Sequence, residues 1–338
     1  MKKVKDIYDF FLNIPSDKKS LSLGDFMETI DGYVKEEIND GLQKCDWTLA
    51  QEYYNICEQM CKDLLLINVR PNKMICVAND YIAISSKCAN CPEEFEQDLK
   101  YGVYDFKYLG FVYTRDYFTK SVLQIESQHI DGRLDTGTAY YIGNNKFVTA
   151  AHCINDPVRF NLLLPDGRPL TLKEVWLAKG KDLEVFDLAI IHIDEKISIP
   201  AFKLGTPVIL DDVLVMGFPP IANLPAIQVA ETATIGVYQK ASTGQVVANT
   251  TAYRTGMDYF LINARVKGGN SGGPVINKEG KIVGTVVSLP YDINSDPTNP
   301  RYDIMGYGQC LPSKYIEELL SSPECFPLHS EDRFYSFR

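Results

Sequence analysis

From about residue 119 the chain becomes a succession of short apolar runs separated by turn signals: SVLQIE, GTAYYIG, KFVTAA, FNLLL, DLAIIHI, VILDDVLVMGF, ATIGVYQ, YFLINA, GPVIN and KIVGTVVSL. Runs of this length at this spacing read as strands, and a helical period returns only at IEELL, residues 316–320. The pattern predicts an all-β barrel or sandwich.

The first 80 or so residues have a different texture. LGDFMETIDGYVKEEI and TLAQEYYNICEQMCKDLLL space their apolar residues by three and four, which predicts amphipathic helices. LLLINVR, a PNK turn, MICV, an ND turn and YIAIS then predict a small β-hairpin region. Helices followed by a hairpin resemble a winged-helix unit, so a small α+β domain is expected over residues 1–87. Residues 88–118 are expected to connect it to a mainly β domain over 119–338, and the aromatic run YGVYDFKYLGFVYTRDYF predicts that the connection packs on something. A length of 338 residues accommodates two such units.

The formal net charge of −10 repels a phosphate backbone, so nucleic acid is not an expected partner and an acidic winged-helix unit would dock a protein. The start, MKKVKDIYDFFLNIPSDKKS, lacks the continuous apolar stretch of a secretory signal, and no apolar run reaches the roughly 18 residues of a membrane span. A cytoplasmic protein is the expectation. Nine cysteines at 45, 57, 61, 76, 88, 91, 153, 310 and 325 are an odd number in a chain that needs no disulfide framework, so reduced thiols are expected. Cys88 and Cys91 have the spacing of half a zinc site, and Cys57 and Cys61 share a helical face. With no nearby histidine and no second CxxC, the expectation is no metal and no cofactor.

Three motifs fall in the β region in order: Thr149-Ala150-Ala151-His152-Cys153, then Phe186-Asp187-Leu188-Ala189-Ile190-Ile191, then Gly268-Gly269-Asn270-Ser271-Gly272-Gly273-Pro274. Together they resemble the chymotrypsin-like (trypsin-type) serine proteases. SVLQIE followed by GTAYYIG, and the later GYGQCLPSKYIEELL, are similar to the corresponding segments of the HtrA-type branch. The resemblance covers about residues 120–320 and implies a double β-barrel.

The chemistry explains the residue types. A serine hydroxyl is a weak nucleophile that needs a base within reach. His152 is suited to take and return a proton near neutrality, and Asp187 would fix its tautomer and stabilise the imidazolium. The resemblance implies that Ser271 is the nucleophile and that the N–H groups of Gly269 and Ser271 form the oxyanion hole. Asp182 competes with Asp187 as the carboxylate, while His129, His192 and His329 stand outside any motif.

Departures from the resemblance also matter. Secreted trypsins carry an aspartate before the nucleophile that pairs with a newly released amino terminus, and Asn270 stands here instead. Cys153 has no partner cysteine in GTAYYIG. The S1 pocket implied by the resemblance places Arg265 near its base with Val286, Val287 and Ser288 along the wall. There Arg265 would face an acidic P1 side chain; the alternative is that it turns outward. The strand at 284–289 is expected to take substrate backbone as an added strand. The expected function is a serine endopeptidase acting on proteins, regulated by a partner docking on the amino-terminal domain. The alternatives are a peptide-binding pseudoprotease and a partner-activated latent protease in a bacterial stress or defence pathway.

Overall fold

A computed structural model describes residues 2–31, 33, 36–37, 43–44, 46–155, 159–183, 185–220, 238–252, 256–289 and 306–328. They form two compact units, Met1–Gly110 and Phe111–Arg338. The expected strand ATIGVYQ falls mostly outside the described residues, as does His329.

In the first unit, helix Val4–Leu12 is followed by strand Leu21–Ser22, helices Leu23–Met27 and Trp47–Lys62, and strands Leu66–Arg70 and Asp80–Ala83. The first strand pairs with the last, which pairs in turn with the middle one, giving a small three-stranded antiparallel sheet beside the helices. Ser22 and Asp25 cap the second helix reciprocally, at 3.0 and 2.8 Å. This helix ends at Met27 instead of continuing along LGDFMETIDGYVKEEI, because the next residues close i→i−3 turns, Thr29 N–H to Phe26 and Ile30 N–H to Met27. MICV is also not a strand. Asn79, 1% exposed, gathers the loop around its amide, donating to the carbonyls of Asn72 and Cys76 and accepting from the Asn72 N–H. Residues Cys76–Ala78 are thereby held in a 3₁₀ turn.

The core of this unit is aromatic, with Phe11, Phe26, Tyr53 and Tyr81 fully buried and meeting edge to face. Residues 88–110 belong to it rather than to a separate connection. Helix Pro92–Tyr101 packs Phe95 on Tyr8, Asp105 accepts the Val4 N–H at 2.8 Å, and Tyr108 donates to Asp63 at 2.7 Å. Helix Val103–Phe118 breaks at Gly110 (φ 71°, ψ −170°), the last residue of the first unit.

The second unit is mainly β. A seven-stranded antiparallel sheet runs in the order 323–327, 172–178, 189–193, 146–149, 134–143, 122–128 and 159–163. A closed six-stranded barrel follows, in the order 212–217, 240–251, 258–262, 308–312, 282–288 and 274–277. Val213, Val215, Phe260, Ile262, Val275 and Val286 fill the barrel. A buried hydrogen bond of 2.7 Å between the hydroxyls of Tyr140 and Thr285 joins sheet to barrel.

Among the described residues no helix is long and apolar enough to cross a membrane, and no group of three or more His, Cys, Asp or Glu side chains could hold a metal. Cys57 sits in the first core, where burial pushes its thiol well above the usual range, while Cys88 and Cys91 are exposed.

Candidate active site

His152 begins the short helix that follows strand Lys146–Thr149, and Asp187 lies two residues before strand Ala189–Ile193. These strands are neighbours, with Ala189 opposite Thr149, so the sheet itself brings the two residues together. Nδ1 of His152 lies 2.7 Å from Oδ2 of Asp187, and the His152 backbone N–H donates to Oδ1 at 2.9 Å. Gripped at ring and backbone, the imidazole is fixed with Nδ1 as donor and Nε2 free to act. Asp187 rather than Asp182 is the carboxylate on this ring. Burial opposes protonation of His152, but the adjoining Cys153 sulfur and the hydrogen-bonded Asp187 carboxylate outweigh it, and the net direction is upward from the ordinary imidazole value.

Ser271 sits in a chain reversal whose backbone is determined at nearly every group. The Asn270 N–H closes a turn on the Lys267 carbonyl at 3.0 Å, with Gly269 at φ +88°. A Cβ on Gly269 would come within 2.5 Å of the Phe218 carbonyl oxygen and 2.8 Å of Pro219 Cα. Gly272 is equally constrained: at φ +78°, its Cβ would strike the Thr138 carbonyl, Thr149 Oγ1 and the Ala150 nitrogen. Gly268 differs from both, since a side chain there meets nothing within 4 Å.

The carbonyls of this reversal are held from the neighbouring sheet. Thr138 Oγ1 donates to Gly269 O at 2.7 Å, and Thr138 N–H donates to Ser271 O at 2.9 Å. The N–H groups of Gly269 and Ser271 donate to no group among the described residues, although Gly269 is buried. Buried unpaired donors are rare, and one costs about 1–3 kcal/mol. Two unpaired amides, two residues apart beside a hydroxyl, are suited to receive developing negative charge. The Ser271 hydroxyl makes no hydrogen bond to the described residues, and together with His152 it lines a cleft of about 350 Å³.

Sequence reasoning missed Thr138, whose only signal was its place in GTAYYIG. Thr138→Val keeps the shape but removes the donor to Gly269 O and the acceptor of the Phe218 N–H at 3.2 Å. The expected loss is about 1–3 kcal/mol, read as a fall of several degrees in Tm by calorimetry. Also missed was the cleft wall made by His129, Arg133 and Asp135, where His129 Nε2 lies 2.8 Å from Asp135 Oδ2. His192 lies away from the cleft, 2.9 Å from Glu174.

The four expected substrate-pocket residues separate. Arg265 is exposed and lines a different cavity, with Lys240, Lys267 and Asn270, instead of the cleft shared by His152 and Ser271. The Val286 side chain, 1% exposed, packs inside the barrel rather than along a pocket wall. Its backbone does the positioning, accepting from Gly272 N–H at 2.7 Å and donating to Gly273 O at 2.9 Å. Val287 is 5% exposed, and Ser288 is exposed with its hydroxyl on Gln309 at 3.0 Å. Past Val286 the strand is paired only on the side of strand Gly308–Pro312, so the other edge of Val287–Ser288 has no strand partner among the described residues.

Residues 137–284 match the trypsin-like peptidase domain. The chain is 28% identical over 212 residues to serine endoprotease DegS of Escherichia coli (strain K12), covering 62% of this chain and 52% of that one. It is 30% identical over 194 residues to the serine protease Do-like HtrA of Bacillus subtilis (strain 168), covering 55% of this chain and 37% of that protein. The chain thus spans about half the length of DegS and less of the Bacillus relative. Among solved structures, the active form of the Rv3671c protease from M. tuberculosis aligns with 62% of this chain and 83% of its own, at 19% identity and a TM-score of 0.48.

Proposed function

We infer that this chain, whose residues 137–284 are a trypsin-like peptidase domain of the chymotrypsin-like HtrA branch, hydrolyses peptide bonds in proteins by acyl transfer through Ser271. The observation that carries this reading is the 2.7 Å contact of Asp187 with the imidazole that shares a cleft with Ser271, beside two unpaired amides. Oγ of Ser271 attacks the carbonyl carbon as Nε2 of His152 takes its proton, and the amides of Gly269 and Ser271 receive the oxyanion. The imidazolium then gives that proton to the leaving amine, and a water deprotonated by the same nitrogen releases the acyl group. The free edge at Val287–Ser288 is suited to pair an extended substrate.

The test is direct. Full-length protein treated with a fluorophosphonate is expected to gain one adduct, mapped by mass spectrometry to the peptide containing Ser271. Protein that stays unmodified at millimolar probe over hours, or is modified elsewhere, would count against the reading. The adduct should form faster as pH rises. Only neutral His152 accepts the proton, and its pKa is raised in the fold, so the rate should climb through a midpoint above the ordinary value of about 6.5. A midpoint at or below that value would contradict the raised pKa.

One observation favours a second reading, latency. The Ser271 hydroxyl makes no hydrogen bond to the described residues, so the contact with His152 would close only when substrate or a partner arrives. Regulation through a protein docked on the amino-terminal unit, in a reducing cytoplasmic setting, is part of this proposal.

A further inference from the structure

On the far side of the turn that carries Gly269 lies a second cavity of about 320 Å³. Its lining is chemically lopsided. Lys240, Arg265 and Lys267 bring three cations to it; among the described residues no carboxylate lines it and none of the three cations is ion-paired. This stands in a chain of net charge −10. Like charges gathered at one cavity repel unless an anion joins them. Lys240 is fixed in place, donating to the carbonyls of Pro219 at 2.7 Å and Tyr238 at 3.3 Å, and burial lowers its pKa. Val215, Pro219 and Ala241 supply an apolar side.

A second observation is independent of charge. Asn270 lines the same cavity, is 5% exposed, and its side-chain amide makes no hydrogen bond to the described residues. Its polar atoms are not among those sealed from solvent without a partner, so a ligand in the cavity can reach them and hydrogen-bond them. A carboxylate satisfies every one of these features: it accepts from the Asn270 amide, neutralises the cations and is fork-bound by the arginine.

We propose that this cavity binds a carboxylate group and that its occupancy holds the turn Lys267–Asn270, and with it the amides of Gly269 and Ser271, in the arrangement described. The coupling is short, because Lys267 and Asn270 are the two ends of the hydrogen bond that closes the turn. The effect on rate rests on the peptidase reading above, but binding does not.

Calorimetric titration of full-length Ser271→Ala protein reads the site without catalysis. The ligands are acetyl-Ala-Glu-Ala-amide, its glutamine counterpart and succinate. The expected result is saturable binding of the glutamate peptide, at least ten-fold weaker for the glutamine peptide. The same loss is expected when Arg265→Ala and Lys267→Ala, both at exposed positions, are combined. Lys240→Met, which lines this cavity and not the cleft, should weaken binding at least five-fold, with folding checked by Tm. Lys278→Ala, an exposed cation paired with Asp212, should change nothing.

Succinate binding as well as the glutamate peptide supports a free carboxylate as sufficient, and succinate binding at least ten-fold worse supports a peptide as the source. No binding of either acid, equal binding of the glutamine peptide, or indifference to the cavity substitutions overturns the site. In wild-type protein the glutamate peptide should speed fluorophosphonate labelling at least two-fold, and binding without acceleration overturns the coupling. Protein that binds the acid yet never labels sinks the peptidase reading and leaves the site standing. Protein that labels but binds no acid does the reverse.

Discussion

Asp187→Asn is expected to slow acylation of Ser271 by about four orders of magnitude while leaving the fold intact. The carboxylate is bonded to His152 twice, at 2.7 Å on the ring and 2.9 Å on the backbone. An asparagine oxygen can still accept the backbone N–H. Its amide, turned toward the ring, donates instead of accepting, which forces the imidazole into the tautomer whose outward nitrogen carries hydrogen and cannot take the serine proton. It also removes one of the influences raising the His152 pKa. The measurement is the second-order rate of fluorophosphonate labelling alongside thermal unfolding. A loss smaller than ten-fold with an unchanged Tm would mean that Asp187 does not orient the base.

Gly269→Ala is expected to cost 10²–10³-fold in kcat/KM, roughly the loss of one oxyanion donor. A left-handed φ of +88° disfavours any side chain, and the new methyl would press on the Phe218 carbonyl and Pro219. The least disruptive escape is rotation of the peptide between residues 268 and 269, which turns the Gly269 N–H away from the cleft. Gly268→Ala is the control, since a methyl there points into open space. It should retain activity within a few-fold, and equal losses from both substitutions would show that general loop damage, not the amide, is responsible.

The site was more legible in the sequence than the scaffold that positions it. TAAHC, DLAII and GNSGGP are local strings, and His152 and Asp187 meet at the ends of adjacent strands. What was hidden depends on partners distant in the chain. Thr138 reads as an ordinary strand residue until its hydroxyl is found on Gly269 O, and Val286 reads as a pocket wall until its side chain is found inside the barrel. Strand Lys240–Thr251 offers almost no apolar alternation because most of its side chains are partly or fully exposed, and Val246 is its buried anchor. Strand Leu172–Ala178 is masked by its charges, although Val175 and Leu177 point inward. Residues 88–110 looked like a link because helix Pro92–Tyr101 exposes Glu93, Glu94 and Glu96. Their aromatic residues pack on the first core.

Thr138 is made early in synthesis and Ser271 late, yet each depends on the other half of the β unit for its final geometry. A fragment that ends before the barrel has no nucleophile, and a barrel produced alone has no clamp for the carbonyls of Gly269 and Ser271. A cell making this chain would therefore assemble the proposed catalytic centre only once both halves have met, and proteolytic nicking that separates them would dismantle it again.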